Sequence, residues 1–294
     1  MNNCLYKLSS PIPSDLTDYV DGFLFENAPT NWFLEENRLT GEGLLVGVFS
    51  SKEDMLLHKA NIINGIGALV NFCFSDTTMD NKDWNESYKD HFIPWSYHHF
   101  HLIPVWLKDS YKVPTNNLSL FLDPGMAFGT GNHESTRMCL EFLIEKELSS
   151  QNSHSIIDLG CGSGILSLSA CLLGYKNILG IDNDQDAVRI SKDNALLNQL
   201  DQKVIFKTSN LYDIDKSLGT FDCVVANIQA DILISCAERI FQLTHKGTTI
   251  ILSGILSKEI DQVIQAFKRF GLDTPLEYSL KHLGEWSSVQ FFKN

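Results

Sequence analysis

The sequence has no run of about 18 or more apolar residues, the length a helix needs to cross a bilayer. Its first residues, MNNCLYKLSS, have neither the basic start nor the apolar core of a signal peptide, so a cytoplasmic protein is expected. The seven cysteines, at 4, 73, 139, 161, 171, 223 and 236, include no C-x-x-C pair, which argues against a structural zinc site and for free thiols in a reducing compartment. Basic residues are also scarce: 23 Lys and Arg against 36 Asp and Glu leave a formal charge of −13. Such a chain repels a phosphate backbone, so no direct nucleic-acid contact is expected and a basic protein substrate fits better. There is no internal repeat and no low-complexity tract.

What is present is enough apolar material, 44% of 294 residues, for one large core and a smaller second one. Residues 1–77 read as a small α+β domain, with strands at Leu5–Leu8, Asn31–Glu35, Gly43–Phe49 and Leu69–Phe74 and helices near Ser14–Phe25 and Lys52–Asn64. In residues 78–93, Trp84, Tyr88 and His91 or Phe92 recur at helical spacing, which predicts a linker helix ending at Pro94. From 94 to 294 strands and helices alternate. Strands at Ser155–Asp158, Asn177–Asp182, Val204–Thr208, Asp222–Ala226 and Thr248–Ser253 are separated by helical stretches at 165–173, 186–198, 231–243 and 258–270. That alternation predicts an α/β, doubly wound, mostly parallel sheet. The stretch from Leu276 to Phe292, broken at Gly284, should add an antiparallel hairpin at one edge and bring the count to seven strands.

Chemistry concentrates in SIIDLGCGSGIL, a strand ending at Asp158, a glycine turn and an apolar helix. Gly160, Gly162 and Gly164 are spaced G-x-G-x-G, whereas a dinucleotide fingerprint would need glycine at 165, where Ile165 stands. The spacing favours S-adenosylmethionine over a nicotinamide cofactor. The alternative is a tight turn that binds nothing. Asp182 closes the next strand beside this turn, and its two oxygens can accept both hydroxyls of a ribose; the competing role is a helix cap. Asp184 and Asp186 read as helix N-terminal residues.

Asn227 ends the fourth strand of the alternating region, in FDCVVANIQAD, where an amide oxygen can hold the N–H of an amine; otherwise it begins the turn into the helix at Asp231. Upstream, Gly125, Gly129 and Gly131 precede a helix with Asn132 as candidate N-cap and Cys139, Leu140, Phe142 and Leu143 on its inward face. His99 and His101 in YHHFHL share one face of a strand at metal-ligand spacing, but two ligands without a third rarely suffice, and no metal is expected. Cys161 and Cys171 read as buried small residues.

The order of these segments resembles the bacterial ribosomal-protein methyltransferases of the PrmA type, which modify the eleventh protein of the large ribosomal subunit. The matching stretches are KDWNESYKDHF, LDPGMAFGTGNH, IDLGCGSGIL, GIDNDQDAV, DNALLN, VVANI and LSGIL. They run from the linker to the C-terminus, while the N-terminal domain matches in size and element order. The resemblance implies a class I methyltransferase sheet, S-adenosyl-L-methionine as cofactor, and transfer of methyl groups to lysine and N-terminal amines. It implies cofactor contacts at Thr136, Gly160, Asp182 and Asn227, with Asn227 also catalytic. Two positions depart from the family pattern: Ser135 replaces the first of two threonines, and Gln229 replaces a leucine. The protein is expected to be a monomer. Competing readings are a methyltransferase of the same fold acting on RNA or a small molecule, a nicotinamide-dependent oxidoreductase, which Ile165 disfavours, and a non-catalytic binding module.

Overall fold

The computed structural model describes residues 4–17, 19–20, 23–24, 31–36, 42–67, 69–80, 93–123, 133–149, 154–214, 216–270 and 276–293. The chain divides into two compact units, Met1–Asp90 and His91–Asn294.

In the first unit, strands β1 (Cys4–Ile12), β2 (Trp32–Glu36), β3 (Gly43–Phe49) and β4 (Ser75–Asp80) form an antiparallel sheet in the order β2-β3-β1-β4. Helix α1 (Lys52–Ile66) starts on Ser51, whose hydroxyl accepts the Asp54 N–H at 3.1 Å, and carries Glu53 and Asp54 in its first turn. Its buried stripe of Met55, Ile62 and Ile66 shares one core with Leu8, Ile12, Leu45 and Phe49. Between 14 and 25, Thr17, Tyr19, Val20, Phe23 and Leu24 are helical.

The strand expected at Leu69–Phe74 is displaced to Ser75–Asp80. Val70 is buried in the core but Leu69 is 63% exposed, so these apolar residues do not form one strand face, and the Cys73 N–H donates to the Ser10 hydroxyl at 2.9 Å, outside any ladder. Among the described residues the true strand pairs only with β1, and its polar sequence SDTTMD is what a sheet edge facing water tolerates. Residues 81–92 of the expected linker helix lie outside the described residues; Thr78, Met79 and Asp80 belong to β4.

The second unit opens with a small sheet of β5 (Trp95–Tyr97), β6 (Phe100–Pro104) and β7 (Leu118–Leu122), in which β6 runs antiparallel to β5 and parallel to β7. The large sheet contains β8 (Ser155–Leu159), β9 (Lys176–Asp182), β10 (Val204–Thr208), β11 (Phe221–Asn227), β12 (Thr244–Leu256), β13 (Glu277–Leu283) and β14 (Trp286–Phe292). Its order is β10-β9-β8-β11-β12-β14-β13, with the first five parallel and β14 antiparallel to both neighbours.

Helices α2 (Glu134–Ser149), α3 (Ile165–Leu172), α4 (Gln185–Leu197), α5 (Ala230–Ser235), α6 (Ala237–Gln242) and α7 (Ile260–Lys268) accompany this sheet. The single helix expected over 231–243 is two short ones that meet at Cys236, whose backbone (φ −99°, ψ 6°) leaves the helical region. At the centre of the sheet both faces are buried, as β11 shows. Cys223 and Val225 point into one apolar cluster with Leu140, Leu143 and Leu168, while Val224 and Ala226 point into another with Leu233, Val263 and Phe267.

Because β8 has β9 on one side and β11 on the other, the chain direction through the sheet reverses at β8. Ligands bind at such a reversal, outside the carboxyl ends of the strands. Asp158, Asp182 and Asn227 all lie at those strand ends.

Candidate active site at the carboxyl edge of the sheet

The glycine turn after β8 is tied to the end of β9 by two backbone bonds, from Gly160 N–H and Cys161 N–H to the Ile181 carbonyl, both 2.9 Å. Gly160 sits at φ +76°, and a Cβ there would lie 2.5 Å from Ile228 Cγ2. Any side chain would fill the space between the turn and the start of the segment after β11.

Asp182 is locked to the same turn. Its Oδ2 accepts the Gly162 N–H at 2.9 Å and its Oδ1 the Asp184 N–H at 3.0 Å. The cap of α4 is Asp184, whose side chain accepts the Asp186 N–H at 2.8 Å, so the capping role falls there. An ionised carboxylate offers about four lone-pair positions, and the two bonds held by Asp182 leave room for a diol.

Gly160 and Asp182 line an open cleft of about 140 Å³, together with Ile181, Asn183, Ser209, Asn210, Leu211, Tyr212, Ile228 and Ile232. The residues after β10, from Ser209 to Tyr212, were not singled out from sequence. Their signal was positional, since they follow a strand end at the same edge, and no distinctive residue type marks them. Asn210 shapes this wall by accepting the Tyr212 N–H at 2.9 Å.

Asp158 stands at the end of β8. It is fully buried, and its Oδ2 accepts both the N–H and the hydroxyl of Ser167, at 3.0 and 2.6 Å, while Oδ1 has no partner. Burial pushes its pKa up to about 7, well above the usual carboxylate range. A group whose folded pKa is raised contributes stability below its unfolded value near 3.9 and loses it as pH rises through the folded value. The wild-type melting midpoint is therefore expected to fall by several degrees relative to Asp158→Asn between pH 5 and pH 8. Parallel thermal melts check this, and equal pH slopes for the two proteins would contradict it.

Across the edge, Asn227 ends β11. Its Nδ2 donates to the Thr136 hydroxyl at 3.1 Å, and its amide oxygen is buried without a hydrogen-bond partner among the described residues. Leaving such an acceptor unmet costs about 1–3 kcal/mol, which a site retains when a ligand is to meet it. Thr136 is itself fully buried and does not line the cleft; its hydroxyl serves Asn227. The adjoining glycine loop, with Gly125, Gly129, Gly131 and Asn132, lies outside the described residues. Two further groups stand beside Thr136 and were not found from sequence. His133 Nδ1 pairs with the Ser135 hydroxyl at 2.7 Å, and its ring meets Trp286 edge-on with centroids 4.6 Å apart.

The histidine pair does not form a site. His99 lies in the turn between β5 and β6 and faces Glu147 at 3.7 Å. His101 points elsewhere, bonding Tyr111 and Asn117 at 2.9 and 2.8 Å. Among the described residues no group of three or more His, Cys, Asp or Glu is placed to hold a metal ion. Cys161 is buried, and desolvation pushes its thiol well above the ordinary range; desolvation also raises the half-buried Cys171.

Comparison with known proteins bears on this edge as a whole. The profile of the family described as "Ribosomal protein L11 methyltransferase (PrmA)" matches residues 20–294, and so reaches into the N-terminal unit, further than the motifs alone. The ribosomal protein L11 methyltransferase of Geotalea daltonii is 31% identical, covering 99% of both chains. That of Klebsiella pneumoniae is 34% identical over 88% of this chain and 84% of its own. Among solved structures, a ribosomal protein L11 methylase from Lactobacillus delbrueckii superposes with a TM-score of 0.57 at 28% identity, over 66% of this chain and 94% of its own. A SAM-dependent methyltransferase from Agrobacterium tumefaciens (TM-score 0.51, 10% identity, 69% and 70% covered) shares the fold. A glycine turn bound to the acid of the next strand, an asparagine with an unmet oxygen, and a sequence match running from residue 20 to the end converge, and the chain belongs to the ribosomal protein L11 methyltransferase family.

Proposed function

We propose that this protein transfers methyl groups from S-adenosyl-L-methionine to lysine and N-terminal amines of the eleventh protein of the large ribosomal subunit. The observation that carries the reading is the buried, unpaired amide oxygen of Asn227 at the sheet edge that also holds the glycine turn. The family and the substrate named for its relatives support it.

The residues fit the cofactor: the Gly160 turn leaves a cradle that a Cβ would fill, Asp182 has acceptor capacity left, and apolar Ile228 and Ile232 stand in the same cleft. Gly160 and Asp182 would hold it from that cleft, with Thr136 and Asn227 on the acceptor side. When bound, adenosylmethionine supplies an electrophilic methyl group on a good leaving group. The protein's own task is to align the acceptor and present it without its proton. At pH 7 an ordinary lysine costs about 4.6 kcal/mol to deprotonate and an α-amine about 1 kcal/mol. A dry pocket lowers the first figure by disfavouring the ammonium form. Asn227 Oδ1 accepts an N–H of the neutral amine and so points its lone pair; the proton leaves to water, with no dedicated base.

Residues 94–294 form the methyltransferase domain in this reading, a doubly wound seven-stranded class I sheet, with 1–77 recognising the substrate and 78–93 linking them. The enzyme works as a cytoplasmic monomer without direct contact to nucleic acid, in keeping with its acidic charge. Mass spectrometry of ribosomal proteins incubated with the enzyme and labelled adenosylmethionine tests the substrate; label on RNA alone would replace it.

For the cofactor, calorimetry should show adenosylmethionine and its demethylated product binding and NAD not binding. Asp182→Ala is expected to weaken the cofactor by about 1–3 kcal/mol through lost charge-assisted ribose contacts. Unchanged affinity in that variant would remove Asp182 from the cofactor site.

A further inference from the structure

The carboxyl end of β12 contains an irregularity in its pairing. Its pairing with β14 shifts between Leu252 and Ile255, so Ser253 and Gly254 leave the regular ladder on that side. On the other side Ser253 stands in register with Asn227, and its carbonyl accepts the Ile228 N–H at 3.1 Å. The buried Ser253 hydroxyl donates to the Ser135 carbonyl at 2.9 Å and also meets the Ser288 hydroxyl. A hydroxyl has one proton, so in this arrangement Ser288 is the donor in the second contact.

Gly254 completes the arrangement. It sits at φ +79°, and a Cβ there would lie 2.6 Å from the Ile228 carbonyl oxygen and 3.0 Å from the Ile228 carbonyl carbon and nitrogen. These are backbone atoms, which cannot swing aside as a side chain would. The segment that follows Asn227 therefore lies directly on Gly254.

We propose that Ser253 and Gly254 are positioning residues for the methyl acceptor: one dipeptide holds both Ile228, next to Asn227, and Ser135, next to Thr136. Asn227 and Thr136 bond each other at 3.1 Å, so fixing their two neighbours fixes where the free Asn227 oxygen points. The inference rests on the proposed role of Asn227 and deepens it, by naming what aims that oxygen.

The test uses the full chain and four variants: Ser253→Ala, Gly254→Ala, Asn227→Ala and the Ser253→Ala/Asn227→Ala double variant. Single-turnover methylation of the ribosomal protein at saturating adenosylmethionine reads the chemical step, and calorimetry with adenosylmethionine reads affinity and folding together. Ser253→Ala should slow the step about fivefold, the loss expected for one hydrogen bond, and by more than it weakens the cofactor. Gly254→Ala should slow it about 100-fold, the size of effect that an ångström of misplacement produces, with a smaller loss of affinity because Ile228 also lines the cleft.

In the Asn227→Ala background, Ser253→Ala should cost nothing further, because what it aims is gone. A step slowed equally in both backgrounds, or rate and affinity falling by the same factor, would make Ser253 merely structural and overturn the proposal. So would a wild-type step in Ser253→Ala alongside a slow Asn227→Ala, while leaving the role of Asn227 intact. A wild-type step in Asn227→Ala would overturn both. If Gly254→Ala fails to bind the cofactor, Ser253→Ala and the double variant decide alone.

Discussion

Asn227→Ala is expected to slow methyl transfer about 100-fold in a single turnover while changing the dissociation constant of adenosylmethionine by less than about threefold. The asymmetry follows from what the amide does. Its Nδ2 is already committed to Thr136, and its Oδ1 has no partner among the described residues, so the group has little to give a cofactor and one acceptor to give an amine. An interaction formed mainly with the aligned acceptor lowers the barrier without tightening the cofactor complex. Asn227→Asp sharpens the test, because a carboxylate keeps the acceptor oxygen and loses the donor to Thr136. It should retain more activity than alanine and show a steeper pH dependence. Equal loss of rate and of cofactor affinity in the alanine variant would place Asn227 in the cofactor cleft alone.

Sequence revealed the parts of this protein whose physics is local. The glycine turn, the acid at the end of β9 and the asparagine at the end of β11 are each marked by residue type and by their place after an apolar run. The two-faced burial of β11 is equally local, since FDCVVAN is apolar on both sides of the pleat.

What stayed hidden depends on contacts between distant segments. Trp286 reaches His133 only because the terminal hairpin folds back beside β12, and Ser253 meets Ser135 across 118 positions of sequence. His99 and His101 part from a common strand face for a related reason. Alternation along YHHFHL assumes an unbroken strand, whereas His98 at φ 49° turns the chain between β5 and β6 and sends the two imidazoles to different partners. The misplaced strand at Leu69–Phe74 shows the same limit. Apolar composition located material for the core, but pairing with β1 selected the polar edge beyond it.

The N-terminal unit raises the last expectation, since every residue assigned to the cofactor or acceptor lies in His91–Asn294, with hydrophobic clusters of its own on both sheet faces. A fragment beginning near Phe92 should therefore still bind adenosylmethionine, within about threefold of the whole chain. Its kcat/KM on the ribosomal protein should nevertheless fall by about 100-fold or more. An enzyme that methylates several amines on one protein gains from a module that keeps hold of the substrate between transfers, and the local concentration supplied by such a tether is worth about 10² to 10⁴ in apparent affinity. Binding and activity must be measured on the same preparation, because loss of both reports only misfolding. A short peptide carrying a single acceptor lysine provides the internal control: with nothing for the N-terminal unit to grip, fragment and full chain should methylate it at similar rates. If the fragment handled the whole ribosomal protein as fast as the full chain does, residues 1–77 would not be the recognition domain, and substrate choice would have to reside in the walls around Asn227, where Gln229 departs from the family pattern.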